Sequence, residues 1–149
     1  MNAIELIAGI IKNPAGGGEG CKLTAYWDSA GGCWTIGWGH TGREVHNGLV
    51  WTQLQADAQL INDIGAALSQ ALSASPILKT QSENRQASIG DFVFNLGIGR
   101  YVGSTLKKLI DAGQWQQAAT EILKWDHAGG KVLPGLQFRR KEESALLQS

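Results

Sequence analysis

The chain is poor in cysteine, in net charge and in long apolar runs. Two cysteines among 149 residues, Cys21 and Cys33, are too few for a disulfide scaffold. They could pair across a hairpin or remain free thiols. Thirteen Lys+Arg against thirteen Asp+Glu leave zero net charge, which argues against the broad basic footprint of a nucleic-acid binder. No apolar run approaches the roughly 18 residues of a membrane span. The first charged side chain, Glu5, falls inside the apolar opening and no A-x-A-like cleavage site follows, so neither a signal peptide nor a membrane anchor is read. Internal repeats and low-complexity tracts are lacking too. The three histidines, His40, His46 and His127, show no zinc-type spacing, so no metal site and no cofactor is expected.

What remains suffices for one domain. Apolar residues at 43% exclude a wholly disordered chain. A chain of this length buries about 68–70% of its unfolded surface. Glycine is abundant, 20 residues with 11 of them before residue 50, so the first third reads as turn-rich and the rest as helical. Tryptophan, at six, outnumbers phenylalanine and tyrosine.

Ile4, Ile7, Ala8 and Ile11 share one face of a first helix that Asn13-Pro14 ends. Gly16-Gly17-Gly18 reads as a loose connector. Leu23–Trp27 and Trp34–Trp38 are β-prone runs around a turn-like segment, which predicts a small antiparallel hairpin or meander. Gly37-Trp38-Gly39-His40-Thr41-Gly42 spells the dinucleotide fingerprint, but no helical period follows it, and nucleotide binding is set aside. Thr52-x-x-Gln55 is a capping box opening a long helix to about Ser75, with Leu54, Ala58, Ile61, Gly65, Leu68 and Leu72 as its apolar stripe. Thr80-x-x-Glu83 reads as a second capping box before the Ile89, Phe92, Val93, Leu96 stripe, which Gly97 and Gly99 end. Ser104-Thr105 caps a short helix, Trp115–Leu123 forms another, and Pro134-Gly135 precedes a last one bearing Arg139, Arg140 and Lys141. Those cations are read either as a solvated face or as a contact for an anionic partner.

Few acids stand in the first third. Glu19 lies between Gly18 and Gly20, and Asp28 closes a Tyr-Trp-Asp run. Both could serve caps and turns. A carboxyl among aromatics and glycines can also be desolvated for general-acid work, with a second carboxylate and a hydroxyl such as Thr35 holding a water; exposed indoles suit sugar faces. That is the toolkit of glycoside hydrolysis.

Glu19-Gly20-x-x-Leu23-x-Ala25-Tyr26-x-Asp28, followed by Trp34-Thr35-Ile36-Gly37-x-Gly39-His40-Thr41, resembles the signature of the tailed-phage lysozymes, the endolysins of the T-even and lambdoid phages. Phe94-Asn95-x-Gly97, Ser104-Thr105-Leu106, Trp125, Ala128-Gly129-Gly130 and Leu133-Pro134-Gly135-Leu136 with Arg139-Arg140 and Glu142 are similar to the family's second half, in order. The resemblance runs from about Glu19 to Leu147. It implies an α+β, mainly helical, lysozyme-like fold. A small β lobe (about 14–51) would be joined by a connecting helix (52–75) to a helical lobe (76–149 plus helix 1–13). It implies a muramidase that cuts the β-1,4 bond between N-acetylmuramic acid and N-acetylglucosamine. Glu19 would be the general acid, and Asp28 and Thr35 would position the attacking water for inversion. Thr41, Phe94 and Thr105 match positions near the saccharide cleft. His40 matches a buried structural histidine paired with an acid on the long helix, Asp57 or Asp63. The resemblance further implies peptidoglycan as substrate, a monomer, residence in the host cytoplasm before lysis and a holin-type permeabiliser for access to the wall.

Two departures stand out. The family's spacing from Asp to Thr is six residues; here it is 35 − 28 = 7. The insertion is read within Gly31-Gly32-Cys33; if a bulge absorbs it Thr35 keeps its place, and otherwise a one-residue slip turns Thr35 to the other face. The Asn13–Gly18 link is also longer than usual, which predicts a mobile Glu19. Two competing readings are a lytic transglycosylase, whose products would lack one water, and a wall-binding module without catalysis.

Overall fold

A computed structural model of the chain describes residues 1–18 and 20–149. Helix α1 (Ala3–Lys12) opens on a capping box in which the Asn2 side chain accepts from Glu5 N–H. A 3-10 turn (Pro14–Gly16) leads into three strands, β1 (Lys22–Asp28), β2 (Cys33–Gly37) and β3 (His40–Thr41), antiparallel in the order β1-β2-β3. Helix α2 (Gln53–Ala74) follows, then a second 3-10 turn (Pro76–Thr80) and the helices α3 (Glu83–Leu96), α4 (Ile98–Val102), α5 (Thr105–Asp111) and α6 (Trp115–Ile122). A short hairpin, β4 (His127–Ala128) and β5 (Lys131–Val132), precedes α7 (Pro134–Leu147). This is a mainly helical α+β fold. Among the described residues, no helix is long and apolar enough to cross a membrane.

The Thr52–Gln55 capping box opens α2 as its spacing predicts. The predicted stripe on that helix is wrong by one residue, a rotation of about 100°. The buried positions are Ala56, Leu60, Ile64, Ala67 and Ala71, whereas Leu54 and Ile61 are 80% and 45% exposed. Gly90 lets α3 cross α2 closely: a Cβ there would meet Leu68 Cδ1 at 3.1 Å and Ile7 Cδ1 at 2.7 Å. The second capping box is also corrected. Ser82, not Thr80, caps α3, accepting from Arg85 N–H at 3.2 Å. Glu83 instead accepts the Ala3 N–H at 2.7 Å and so ties α1 to α3.

Helix α3 is the centre of the helical part, buried continuously from Ala87 to Val93. Ile89, Phe92 and Val93 pack with Tyr101, Leu106, Ile110, Ile122 and Leu147. Ala3, Ile7, Leu60, Ile64 and Ala87 form a second cluster that seats α1 on α2 and α3. The sheet has its own small core of Ala25, Ile36 and Val45, under Trp34, Leu49 and Trp51. A two- or three-strand sheet is marginal alone; here α2 backs it.

The basic cluster of α7 does not form a surface. Arg140 is fully buried and grips Glu143 with two hydrogen bonds, 2.6 and 2.8 Å, and Asn95 with a third at 2.9 Å. Arg139 pairs with buried Asp91 at 2.5 Å. Only Lys141 of the three is exposed. The readings of Arg140 as a solvated or wall-binding group are therefore replaced by a buried ion pair, while Arg139, paired with Asp91, stays partly exposed. Burial raises the pKa of Glu143 well above the usual range, and the charge and hydrogen bond of Asp91 raise it further, against the pull of Arg140.

Candidate active site

The β1–β2 hairpin determines where Asp28 and Thr35 stand. Asp28 pairs with Cys33 and Tyr26 with Thr35, so all four side chains lie on one face of the sheet. The extra residue between Asp28 and Thr35 is taken up neither by a strand bulge at Gly31-Gly32-Cys33 nor by a slip. It sits in the four-residue turn, 29–32, which Gly32 N–H to Asp28 C=O closes at 2.7 Å. Asp28 Oδ1 accepts the Ala30 N–H at 3.1 Å, and a Cβ on Gly31 would come within 3.0 Å of Asp28 Oδ2. The strand irregularity lies elsewhere, between Lys22 and Tyr26.

Thr35 is buried, with its hydroxyl donating to Cys33 C=O at 3.5 Å. The Cys33 thiol lies 4.0 Å from that hydroxyl. Both cysteines are free. Cys33 sits at the turn and Cys21 just before the far end of β1, about 20 Å away by strand rise, well beyond the roughly 7 Å limit for a disulfide. The cross-hairpin pairing is excluded.

Tyr26 and Asp28 face a cleft of about 740 Å³. Its other walls are Lys12 and Asn13 at the end of α1, Gly16 in the 3-10 turn, Trp38 and Gly39 beyond β2, Phe94 and Asn95 on α3, and Arg139 on α7. Gly18 and Gly20 both line it. Glu19, and with it the expectation of a mobile general acid, lies outside the described residues. The approach to that position is firmly seated rather than a loose connector. A Cβ on Gly135 would meet Gly16 O at 2.5 Å and Gly17 Cα at 2.7 Å, so the 3-10 turn rests backbone to backbone on the start of α7. Only glycine permits this approach.

His40 takes the expected kind of partner, and of the two candidates it is Asp63. Its Nδ1 lies 2.8 Å from Asp63 and its Nε2 2.6 Å from Glu44, with Trp51 tilted beside the ring at 5.6 Å. Asp57 serves elsewhere, accepting from Trp38 Nε1 at 2.8 Å and Gln53 at 3.0 Å. Those hydrogen bonds, Trp38's first, hold its carboxyl below the usual range. Burial of His40 opposes its charged form, but the hydrogen bonds and charges of Glu44 and Asp63 outweigh it and raise its pKa above 6.5. The sign follows by linkage: the pair's stabilisation is complete below the unfolded pKa near 6.5 and fades as pH rises through the higher folded value. Urea midpoints measured from pH 5 to 9 should therefore fall in that window for the parent protein. A His40→Asn variant should lack that component, and identical slopes for the two would refute the pairing.

Thr41 and Phe94 line a smaller hollow of about 270 Å³ with His40 and Asp63. Phe94 and Gly39 border both this hollow and the main cleft. Thr105 is the first residue of α5 and lines neither. The dinucleotide-like glycines make a tight antiparallel connection, with Gly37 and Gly39 at φ of 66° and 91°, and no helix follows. Sequence reasoning missed Lys12, Trp38, Asn95 and Arg139 as cleft residues. Tyr26 was within reach, since it alternates with Asp28.

A carboxylate on a small sheet, facing cations and indole across a groove against a helical body, defines a lysozyme-like protein. The phage lysozyme family model matches residues 17–143. An endolysin of Acyrthosiphon pisum secondary endosymbiont phage 1 is 41% identical over 135 residues, 88% of this chain and 90% of that protein. The muramidase domain of SpmX from Asticaccaulis excentricus superposes with a TM-score of 0.79 at 26% identity, covering 99% of this chain and 95% of that one. A mutant P22 lysozyme gives 0.76 at 29% identity, covering 97% and 96%. The chain belongs to the phage lysozyme family and is a peptidoglycan-degrading glycoside hydrolase.

Proposed function

We propose that the chain hydrolyses the β-1,4 bond between N-acetylmuramic acid and N-acetylglucosamine with inversion. Glu19 gives its proton to the glycosidic oxygen as that bond breaks. A water attacks the anomeric carbon from the opposite face and passes its proton to Asp28, with the Thr35 hydroxyl orienting it. The observation that carries this reading is the cleft itself: Asp28 faces it from β1, and the glycines on both sides of Glu19 line it. Thr35 shares the sheet face of Asp28 but does not line the cleft, so its role rests on the family resemblance. Inversion requires room for water between the two carboxyls, about 6.5–9.5 Å apart. Thr41 and Phe94 are proposed as saccharide contacts, and Thr105 joins them on family resemblance alone.

The proposal extends to the protein's setting. The chain is read as acting as a monomer on the family resemblance alone. Access from the host cytoplasm through a membrane opened by a holin-type partner is proposed on the family resemblance alone.

Product analysis tests the chemistry. Digested peptidoglycan should yield reducing muramic acid ends, released first as the α anomer. Anhydro ends, lighter by one water, would establish the transglycosylase instead, and an initial β anomer would rule out inversion.

A further inference from the structure

We propose that the substrate groove continues past the central cleft along α2 and holds a further stretch of glycan strand at Gln70, Ser73 and Ile98. This deepens the proposed function and rests on its glycan substrate. Three concave regions adjoin one another. The central cleft shares Gly39 and Phe94 with the hollow of His40 and Thr41. That hollow shares Gln70 with a third, of about 490 Å³, formed by Ser69, Gln70, Ser73 and Ala74 of α2 and Ile98 of α4.

The geometry is that of a track. Asp63, Ala66, Gln70 and Ser73 follow at intervals of three, four and three residues, so they occupy one face of α2. From Asp63 to Ser73 is ten residues, a rise of about 15 Å, enough for more than one sugar ring. Ile98 borders the hollow from α4, which begins after Gly97 turns the chain at φ 92°.

The chemistry selects the occupant. The third hollow is bordered by two hydroxyls, one carboxamide and the apolar Ala74 and Ile98, with no charged side chain. Among the described residues, Ser69, Gln70 and Ser73 make no side-chain hydrogen bond within the protein, so their donors and acceptors are available to a ligand. A glycan backbone presents uncharged hydroxyl and acetamido groups along C–H faces, which match this lining. A free peptide stem carries carboxylates and an amine, for which the hollow offers no counter-charge.

Binding by the Glu19→Gln variant to N-acetylglucosamine oligomers of increasing length, which carry neither a peptide stem nor a lactyl carboxylate, tests the proposal without depending on turnover. Affinity should rise about tenfold once strands are long enough to pass the central cleft. Adding Ser73→Trp, a bulky group at an exposed position, should remove that gain while short-strand affinity stays within twofold. Gln70→Ala should reduce the gain in part. The proposal is overturned if Ser73→Trp leaves the length dependence intact, if affinity falls equally at every length, or if only peptide-bearing strands show the gain. Cleavage of short strands by the parent protein is scored separately and reports on the bond chemistry alone.

Discussion

Glu19→Gln is expected to slow peptidoglycan clearing by about 10²–10⁴-fold, the span that a positioned general acid contributes. The amide keeps the shape of the side chain but has no carboxyl proton to give to the departing sugar oxygen. Gln matches Glu in size and polarity, so the change removes the proton donor without altering side-chain volume. Thermal melting should stay within about 1 °C of the parent. The pair of measurements is informative because a misfolded protein would lose both. Clearing at the parent rate would remove Glu19 from the mechanism, and with it the meaning assigned to the two glycines.

Arg140→Met should have the largest effect on stability. Glu143 is fully buried and Arg140 supplies two of its hydrogen bonds, while Asp91 adds a second buried acid beside it. Removing one partner of a buried ion pair costs about 3–5 kcal/mol. For a chain of this size that corresponds to a fall of roughly 6–20 °C in melting temperature. The loss should be smaller in acid, because Glu143, whose pKa burial already raises, then enters the core neutral. Pairing Arg140→Met with Glu143→Leu should recover most of the loss, since no unpaired charge is left. A single variant that melts within 2 °C of the parent at neutral pH would show that the pair is not buried in solution.

Local signals were legible where a single turn of chain carries them. The Thr52–Gln55 box opens α2, Asn13-Pro14 closes α1, and Ser104 caps α5, each through hydrogen bonds within three residues. The Thr80–Glu83 spacing misled because it is equally good locally. Glu83 is claimed by the Ala3 N–H, a partner 80 residues away, and no window around Thr80 contains that competitor. The stripe on α2 failed for a related reason. Size alone favours Leu54 and Ile61 for the core, but the face of α2 that packs inward is the one carrying Ala56, Leu60, Ile64, Ala67 and Ala71.

The charged run Arg139-Arg140-Lys141 shows the limit most clearly. On a helix of unknown surroundings it reads as a solvated face. Its actual partners, Asp91, Asn95 and Glu143, come from α3 and α7, and only their convergence allows Arg140 to be buried. The same convergence brings Arg139 to the wall of the cleft.

The residue types and order alone determined the fold class, the family and which carboxylates to examine, because short motifs tie these to local backbone geometry. Tertiary structure decided the rest. It housed the extra residue in the 29–32 turn, so that Thr35 stays on the face of Asp28. It chose Asp63 over Asp57 for His40, kept Cys21 from Cys33, and drew Arg140 of the basic run into a buried ion pair. Each of these depends on which distant groups compete for one hydrogen bond or one volume, and spacing along the chain does not encode that competition.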